Sequence, residues 1–217
     1  MTIRPRRASL LACTVFALTL AASSEACAEL IPGYSDDVTE SDAREMALLP
    51  NYCMYTQIFR NHVPGGDNPN EIARWSQMLG PTFNALHHYC WGLMKTNRAL
   101  LLAPSQQVRS FYLKSAIGEF DYVIQRATPD FVLLPEILTK KGEDLFRLKE
   151  DGLAVMELNR AISLKPDYWP PYAALSDHYK EVGNPEKARE LLDKALSFAP
   201  DAKGLKSRQS ELNTTKR

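Results

Sequence analysis

The chain has 217 residues, with 26 Lys and Arg against 26 Asp and Glu, and 45% of it is hydrophobic. That length suits one domain or a small domain plus a repeat array, and the balanced charge gives no basic excess of the kind that marks a nucleic-acid or membrane-surface binder. No apolar run is long enough to reach the roughly 20 residues that a membrane-spanning helix needs.

Residues 1–28 read as a signal peptide. Arg4, Arg6 and Arg7 precede an uncharged apolar run over residues 10–20, and Ala26-Cys27-Ala28 places small residues one and three positions before a cut after Ala28. The mature protein is then soluble and periplasmic or secreted. A lipid anchor on Cys27 fits worse, because Ser24 and Glu25 stand where a lipobox wants a Leu and a small residue. The twin-arginine route suggested by Arg6-Arg7 also fits worse, because Ser9 occupies a position normally apolar in that signal. Removing the three arginines and Glu25 from the 26 basic and 26 acidic residues leaves a balance near −2.

In chain order, residues 29–40 look extended or disordered, and a short amphipathic helix is expected over residues 41–49. Residues 62–70, His-Val-Pro-Gly-Gly-Asp-Asn-Pro-Asn, are dense in turn formers and read as a loop, followed by a helix over residues 71–78. Together these make residues 29–80 an N-terminal helical and loop region. Pro81 opens a helix running to about Leu102, and Ser105 caps another running to about Ala127, so residues 81–134 form an antiparallel hairpin.

Cys53 and Cys90 remain after cleavage, in a compartment that should be oxidising, and a disulfide is their natural fate. Closing that loop is worth roughly 3 to 4 kcal/mol on chain-entropy grounds. The alternatives are a zinc site with His87 and His88, or free thiols. Zinc is disfavoured because adjacent side chains on a helix diverge by about 100°. With the bridge formed, one of the histidines is left to pack beside it.

Residues 135–201 contain a repeat at a fixed offset of 34 residues. Leu138, Gly142, Leu145, Ala154, Leu158, Ala161 and Pro166 recur as Tyr172, Ser176, Tyr179, Ala188, Leu192, Ala195 and Pro200. Small residues at Gly142, Ser176, Ala154 and Ala188 let antiparallel helices approach, and the larger ones fill the space beside them. Gly183-Asn184-Pro185 ends one helix and starts the next, while Pro166 and Pro200 stop the second helix of each unit. Upstream, Trp91, Met94 and Arg98 followed by Ala116, Phe120, Val123 and Pro129 read as a degenerate, lengthened unit. Residues 202–217 read as a polar C-terminal cap or end helix, frayed from Asn213.

Over residues 135–201 the chain resembles the tetratricopeptide repeat family, in spacing and in the residue type at each slot. The resemblance implies an all-α, right-handed superhelix of antiparallel helix pairs, with two clear units and one degenerate unit upstream. It also implies a concave groove lined by the first helix of each unit, where partner peptides or domains dock. By family position that face takes Glu136, Thr139, Glu143, Phe146 and Arg147, then Pro170, Ala173, Asp177, Lys180 and Glu181. Thr139, Glu143, Ala173 and Asp177 stand where the chaperone-tail subclass uses Lys and Asn to clamp a terminal carboxylate, so that ligand is not expected. A basic or mixed-charge peptide with apolar anchors fits this face better.

Within the turn Tyr168-Trp169-Pro170-Pro171-Tyr172, Trp169 and Tyr172 are either packing between units or an anchor at the groove lip. No haem-attachment motif, serine-nucleophile elbow or phosphate loop occurs. The pairs Glu143-Asp144 and Glu150-Asp151 read as solvated surface rather than as general acid and base. The expectation is a protein-binding scaffold of the bacterial envelope, without catalytic residues, metal or cofactor, whose oligomeric state the sequence leaves open. The rival is a metal-binding or enzymatic region at residues 40–100 that the repeats merely support.

Overall fold

The structure, a computed structural model, describes Ile31, Tyr34 and residues 43–214. The signal peptide and its cut, the Cys27 anchor, most of residues 29–40, and Thr215, Lys216 and Arg217 lie outside the described residues. Among the described residues the chain is helical, with no strand. It runs α1 (Ala43–Met46), a 3-10 turn (Asn51–Tyr55), α2 (Phe59–His62), α3 (Pro69–Leu79), a second 3-10 turn (Pro81–Ala85), α4 (Leu86–Leu101) and α5 (Gln106–Ile124). There follow α6 (Leu134–Arg147), α7 (Asp151–Leu164), α8 (Pro170–Glu181), α9 (Pro185–Phe198) and α10 (Lys203–Thr214). None of these helices is long and apolar enough to cross a membrane.

From α4 onward the helices pack in adjacent pairs: α4 with α5, α6 with α7, and α8 with α9. Contacts of α5 with α6, of α7 with α8 and of α6 with α8 join the pairs, and α10 packs on α8 and α9. Sequence chemistry explains the pairing. A Cβ added at Gly142 would lie 2.7 Å from Leu158 Cγ and 3.3 Å from the Ala154 carbonyl oxygen, so only glycine permits the approach of α6 to α7. At the equivalent place in the next pair, the Ser176 hydroxyl donates to the Ala188 carbonyl at 2.7 Å. Gly92 plays the same part upstream, where a Cβ would strike the Phe120 ring. Ala116, Ala154, Ala161, Ala188 and Ala195 are all fully buried at these seams.

The expected caps form. Ser105 accepts from the Val108 N–H, and Asn184 accepts from the Lys187 N–H after Gly183 takes a φ of 79°. Several boundaries differ from the sequence reading, among them α1, which spans Ala43–Met46 and so ends before residue 49, and α5, which ends at Ile124 rather than near Ala127. Pro69 and Asn70 belong to α3 rather than to the loop and Asn68 caps it, because the Asn68 side chain accepts from the N–H groups of Asn70 and Glu71, and Pro69 fits the first turn. The helix expected from Pro81 begins as a 3-10 turn and becomes α-helical at Leu86. At the C-terminus, α10 is helical through Thr214 rather than frayed from Asn213, and it is more than a polar solvating end because it buries Leu205 and Leu212.

Residues of the N-terminal region join the core of the pairs that follow. Leu49, Tyr52, Cys53, Phe59, Leu79 and Phe83 share one buried cluster with Tyr89, Phe120, Ile137, Leu138 and Ala161. Two devices hold this region down. The Cys53–Cys90 disulfide ties the first 3-10 turn to α4, with Cα atoms 5.6 Å apart. Arg98, fully buried, donates to both carboxylate oxygens of Glu45 at 2.6 and 2.9 Å, fastening α1 to α4. A further ionic tie crosses three helices, with Lys141 Nζ of α6 at 2.7 Å from Asp121 and 2.6 Å from Glu157.

Candidate functional site

The 34-residue offset that relates α6 to α8 also places Lys203, the first residue of α10, 34 residues after Trp169. The three helices α6, α8 and α10 line three adjoining surface depressions. One of about 250 Å³ is walled by Glu136, Lys140, Glu143, Tyr168, Trp169 and Arg208. The next, of about 400 Å³, takes Glu143, Phe146, Arg147, Asp177, His178 and Arg208. A third, of about 460 Å³, takes Asp177, Lys180, Glu181, Gly204, Arg208 and Glu211. Arg208 lines all three, so the surface is continuous.

The expected groove residues fare differently. Glu136, Glu143, Arg147, Trp169, Asp177 and Lys180 lie on this surface. Thr139 borders it but is fully buried, and its hydroxyl donates back to the Pro135 carbonyl at 2.7 Å, so that donor is already used within α6. Tyr172 is not brought together with the others. It is buried, its hydroxyl donates to the Pro166 carbonyl at 2.9 Å, and it lines a separate depression against α9 with Glu190 and Lys194. Trp169 is half-buried against the cluster of Tyr172, Ala173 and Ala188 while also walling the first depression, so packing and exposure coexist in one ring.

Arg208 was missed because α10 was read as solvating. The signal was available, since Arg208 follows Ala174 by the same 34 residues. One edge of its guanidinium engages Asp177, with Nε 2.9 Å from each carboxylate oxygen and a terminal nitrogen 2.8 Å from one of them, while the other terminal nitrogen donates to the Gly204 carbonyl at 3.1 Å. Other charges on the surface also pair internally. Glu143 lies 3.1 Å from Lys140 and 4.0 Å from Arg147, and Lys180 lies 2.8 Å from Glu211. Phe146 and His178 stack at 4.4 Å, bridging α6 to α8.

One of the carboxylates read as solvated surface is buried. Asp144 has no exposure, accepts from the Thr96 hydroxyl of α4 and pairs with Arg147 at 3.0 Å. Helix periodicity turns Asp144 inward while its neighbour Glu143 stays half-buried at the surface. Burial pushes its carboxyl up to about 6, against the opposing pull of the Thr96 hydrogen bond and the Arg147 charge.

At the head of the surface, Glu136 accepts from the Tyr89 hydroxyl at 2.7 Å. Burial raises the ionisation of Tyr52, Tyr89 and Tyr168 above the ordinary phenol range, and the Glu136 charge adds to the rise in all three. Three phenols thus stay protonated around one carboxylate. The Tyr52 hydroxyl is buried with no hydrogen-bond partner.

The histidines of the other candidate region have separate partners. His87 Nδ1 lies 3.1 Å from the Asn84 carbonyl, and His88 Nδ1 lies 2.6 Å from Glu119 while its ring stacks on Tyr122 at 3.6 Å. Lys95 completes that cluster, with Nζ 2.6 Å from Glu119 and 2.9 Å from Ser115. Although adjacent in sequence, the two histidine rings lie 4.3 Å apart. Cys53 and Cys90 are consumed by their bridge, and among the described residues no group of three or more His, Cys, Asp or Glu is placed to hold a metal ion.

No protein-family model matches the chain, and no curated protein matches its sequence. Architecture alone therefore sets its class: among the described residues, a helical protein whose helices pack in adjacent pairs, with a charged and aromatic surface on three of them.

Proposed function

We propose that this chain is an exported tetratricopeptide-type scaffold of the bacterial envelope, working in the periplasm, that holds a partner peptide or domain against the surface of α6, α8 and α10. In this reading that surface is the concave face of a right-handed superhelix, and the chain binds rather than catalyses. The observation that carries it is the continuity of the three depressions along helices spaced by one repeat period, with Arg208 common to all. Export is supported by the leader's residue pattern and by the Cys53–Cys90 bridge, which persists in an oxidising compartment.

Internal charge pairing gives the surface a function-compatible economy. Lys140 pairs with Glu143, Asp177 with Arg208 and Lys180 with Glu211, and such pairing lowers the side-chain freedom left to lose when a partner lands. The test is capture of partners from envelope extract on the tagged mature chain, beside a Glu143→Lys, Asp177→Lys variant with its helicity checked by circular dichroism. A partner retained by the parent and lost by the folded variant supports the reading. Equal retention by both, or by neither, refutes it.

A further inference from the structure

The acids on the α6, α8 and α10 surface are not equivalent. Glu143, Asp177 and Glu211 each have a Lys or Arg of this chain within ion-pair distance. Glu181 and Asp151 have no such partner among the described residues, but both are exposed, so water serves them. Glu136 is the half-buried exception: its hydrogen-bond partner is the neutral Tyr89 hydroxyl, and no cation among the described residues lies within ion-pair distance. A carboxylate held in partly desolvated surroundings without a counter-charge is costly unless something supplies one.

Its surroundings specify what that something is. Tyr168 and Trp169 share the 250 Å³ depression with Glu136, and aromatic faces attract a cation within about 6 Å. Lys140 and Arg208 line the same depression but are drawn off, Lys140 to Glu143 at 3.1 Å and Arg208 to Asp177 at 2.8 Å. A carboxylate and an aromatic wall of Tyr168 and Trp169 together match an ammonium or guanidinium group, and a second anion there would meet Glu136 and Glu143 in opposition.

We propose that Glu136, Tyr168 and Trp169 form the seat for a Lys or Arg side chain of the bound partner, fixing one basic residue of a peptide at the α6 end of the surface. This rests on the docking reading above and names the chemistry it recognises. Arginine in this seat makes the charge-assisted bond to Glu136 while stacking on Trp169 or Tyr168.

The experiment is selection from a displayed random-peptide library on the immobilised mature chain, followed by synthesis of the enriched peptides. Glu136→Gln serves as the discriminating variant, because its amide oxygen still accepts from Tyr89 and the fold is kept. The expected result is a Lys or Arg fixed at one position of the enriched peptides. Replacing that residue by Gln, or Glu136 by Gln, should each weaken binding about tenfold, without additivity when combined. Enriched peptides with no fixed basic residue, or a basic preference that survives Glu136→Gln, overturn the seat and leave the docking surface intact. No enrichment over bare matrix overturns the docking surface and the seat together. Binding on a glycan array without peptide enrichment also overturns both, and assigns the carboxylate and aromatic rings to a sugar.

Discussion

Replacing Gly142 by alanine should destabilise the protein, although alanine is the better helix former. In an unobstructed helix the exchange gains about 0.5 to 1 kcal/mol through lower backbone entropy and better propensity. At Gly142 the new methyl carbon would lie 2.7 Å from Leu158 Cγ and 3.0 Å from its Cδ2, well inside the roughly 3.5 to 4.0 Å optimum for carbon atoms. Leu158 is fully buried and cannot swing aside without displacing other core atoms. Overpacking of this kind costs about 1 to 3 kcal/mol, so the net effect is a loss of about 1 kcal/mol. Gly118, in the interior of α5, has nothing within 4 Å of where its Cβ would sit, and Gly118→Ala should gain about 0.5 to 1 kcal/mol. Urea unfolding followed by far-ultraviolet circular dichroism measures both, and the two variants should move in opposite directions. In a Leu158→Ala background the penalty at Gly142 should shrink, leaving only the 3.3 Å approach to the Ala154 carbonyl oxygen. If Gly142→Ala stabilises as much as Gly118→Ala, the close approach of α6 and α7 is wrong and the pairing argument fails with it.

Ala195→Leu, at a fully buried seam, should cost about 1 to 3 kcal/mol, whereas Lys194→Gln beside it should change stability by less than about 0.5 kcal/mol in the same assay. Reducing the Cys53–Cys90 bridge should remove roughly 3 to 4 kcal/mol and lower the melting temperature, while low-temperature helicity stays the same. Asp144, raised to about 6 from an ordinary 3.8, keeps its proton in the folded chain over a window where the unfolded chain has released it. Its contribution to stability therefore falls as pH rises from about 4 to about 6. Asp144→Asn, which titrates nowhere in that range, should gain on the parent by roughly 2 to 3 kcal/mol between pH 4 and pH 7, read as paired denaturation curves. A difference between the two proteins that does not vary with pH would mean that Asp144 is not desolvated.

What the sequence revealed was local or periodic. Gly183-Asn184-Pro185 and Ser105 act within one turn of their own position, and the seam residues repeat at a fixed interval, so both kinds of signal survive without coordinates. The contacts that stayed hidden join residues far apart by no regular spacing. Arg98 meets Glu45 across 53 positions and Asp144 meets Thr96 across 48, and neither partner can be paired by pattern. Glu136 and Asp177 line the depressions because the helix face alone decides where they stand. Helix periodicity does not foresee local hydrogen bonds: Thr139 turns its hydroxyl to its own helix, and Tyr172 turns to the Pro166 carbonyl. Asn68-Pro69 was spent on a loop because the same residues that favour turns also start helices, and only the side-chain bonds to Asn70 and Glu71 distinguish the two.

Site-specific photo-crosslinking in living cells reads, position by position, where a partner touches the chain. A photoreactive residue at Ala174 or Ser207 faces the surface of α6, α8 and α10, whereas one at the exposed Met156 of α7 lies off it. Discrete adducts of one partner from Ala174 and Ser207, and none from Met156, are the predicted result. Adducts from Met156 alone, or in equal yield from all three positions, would contradict the docking surface.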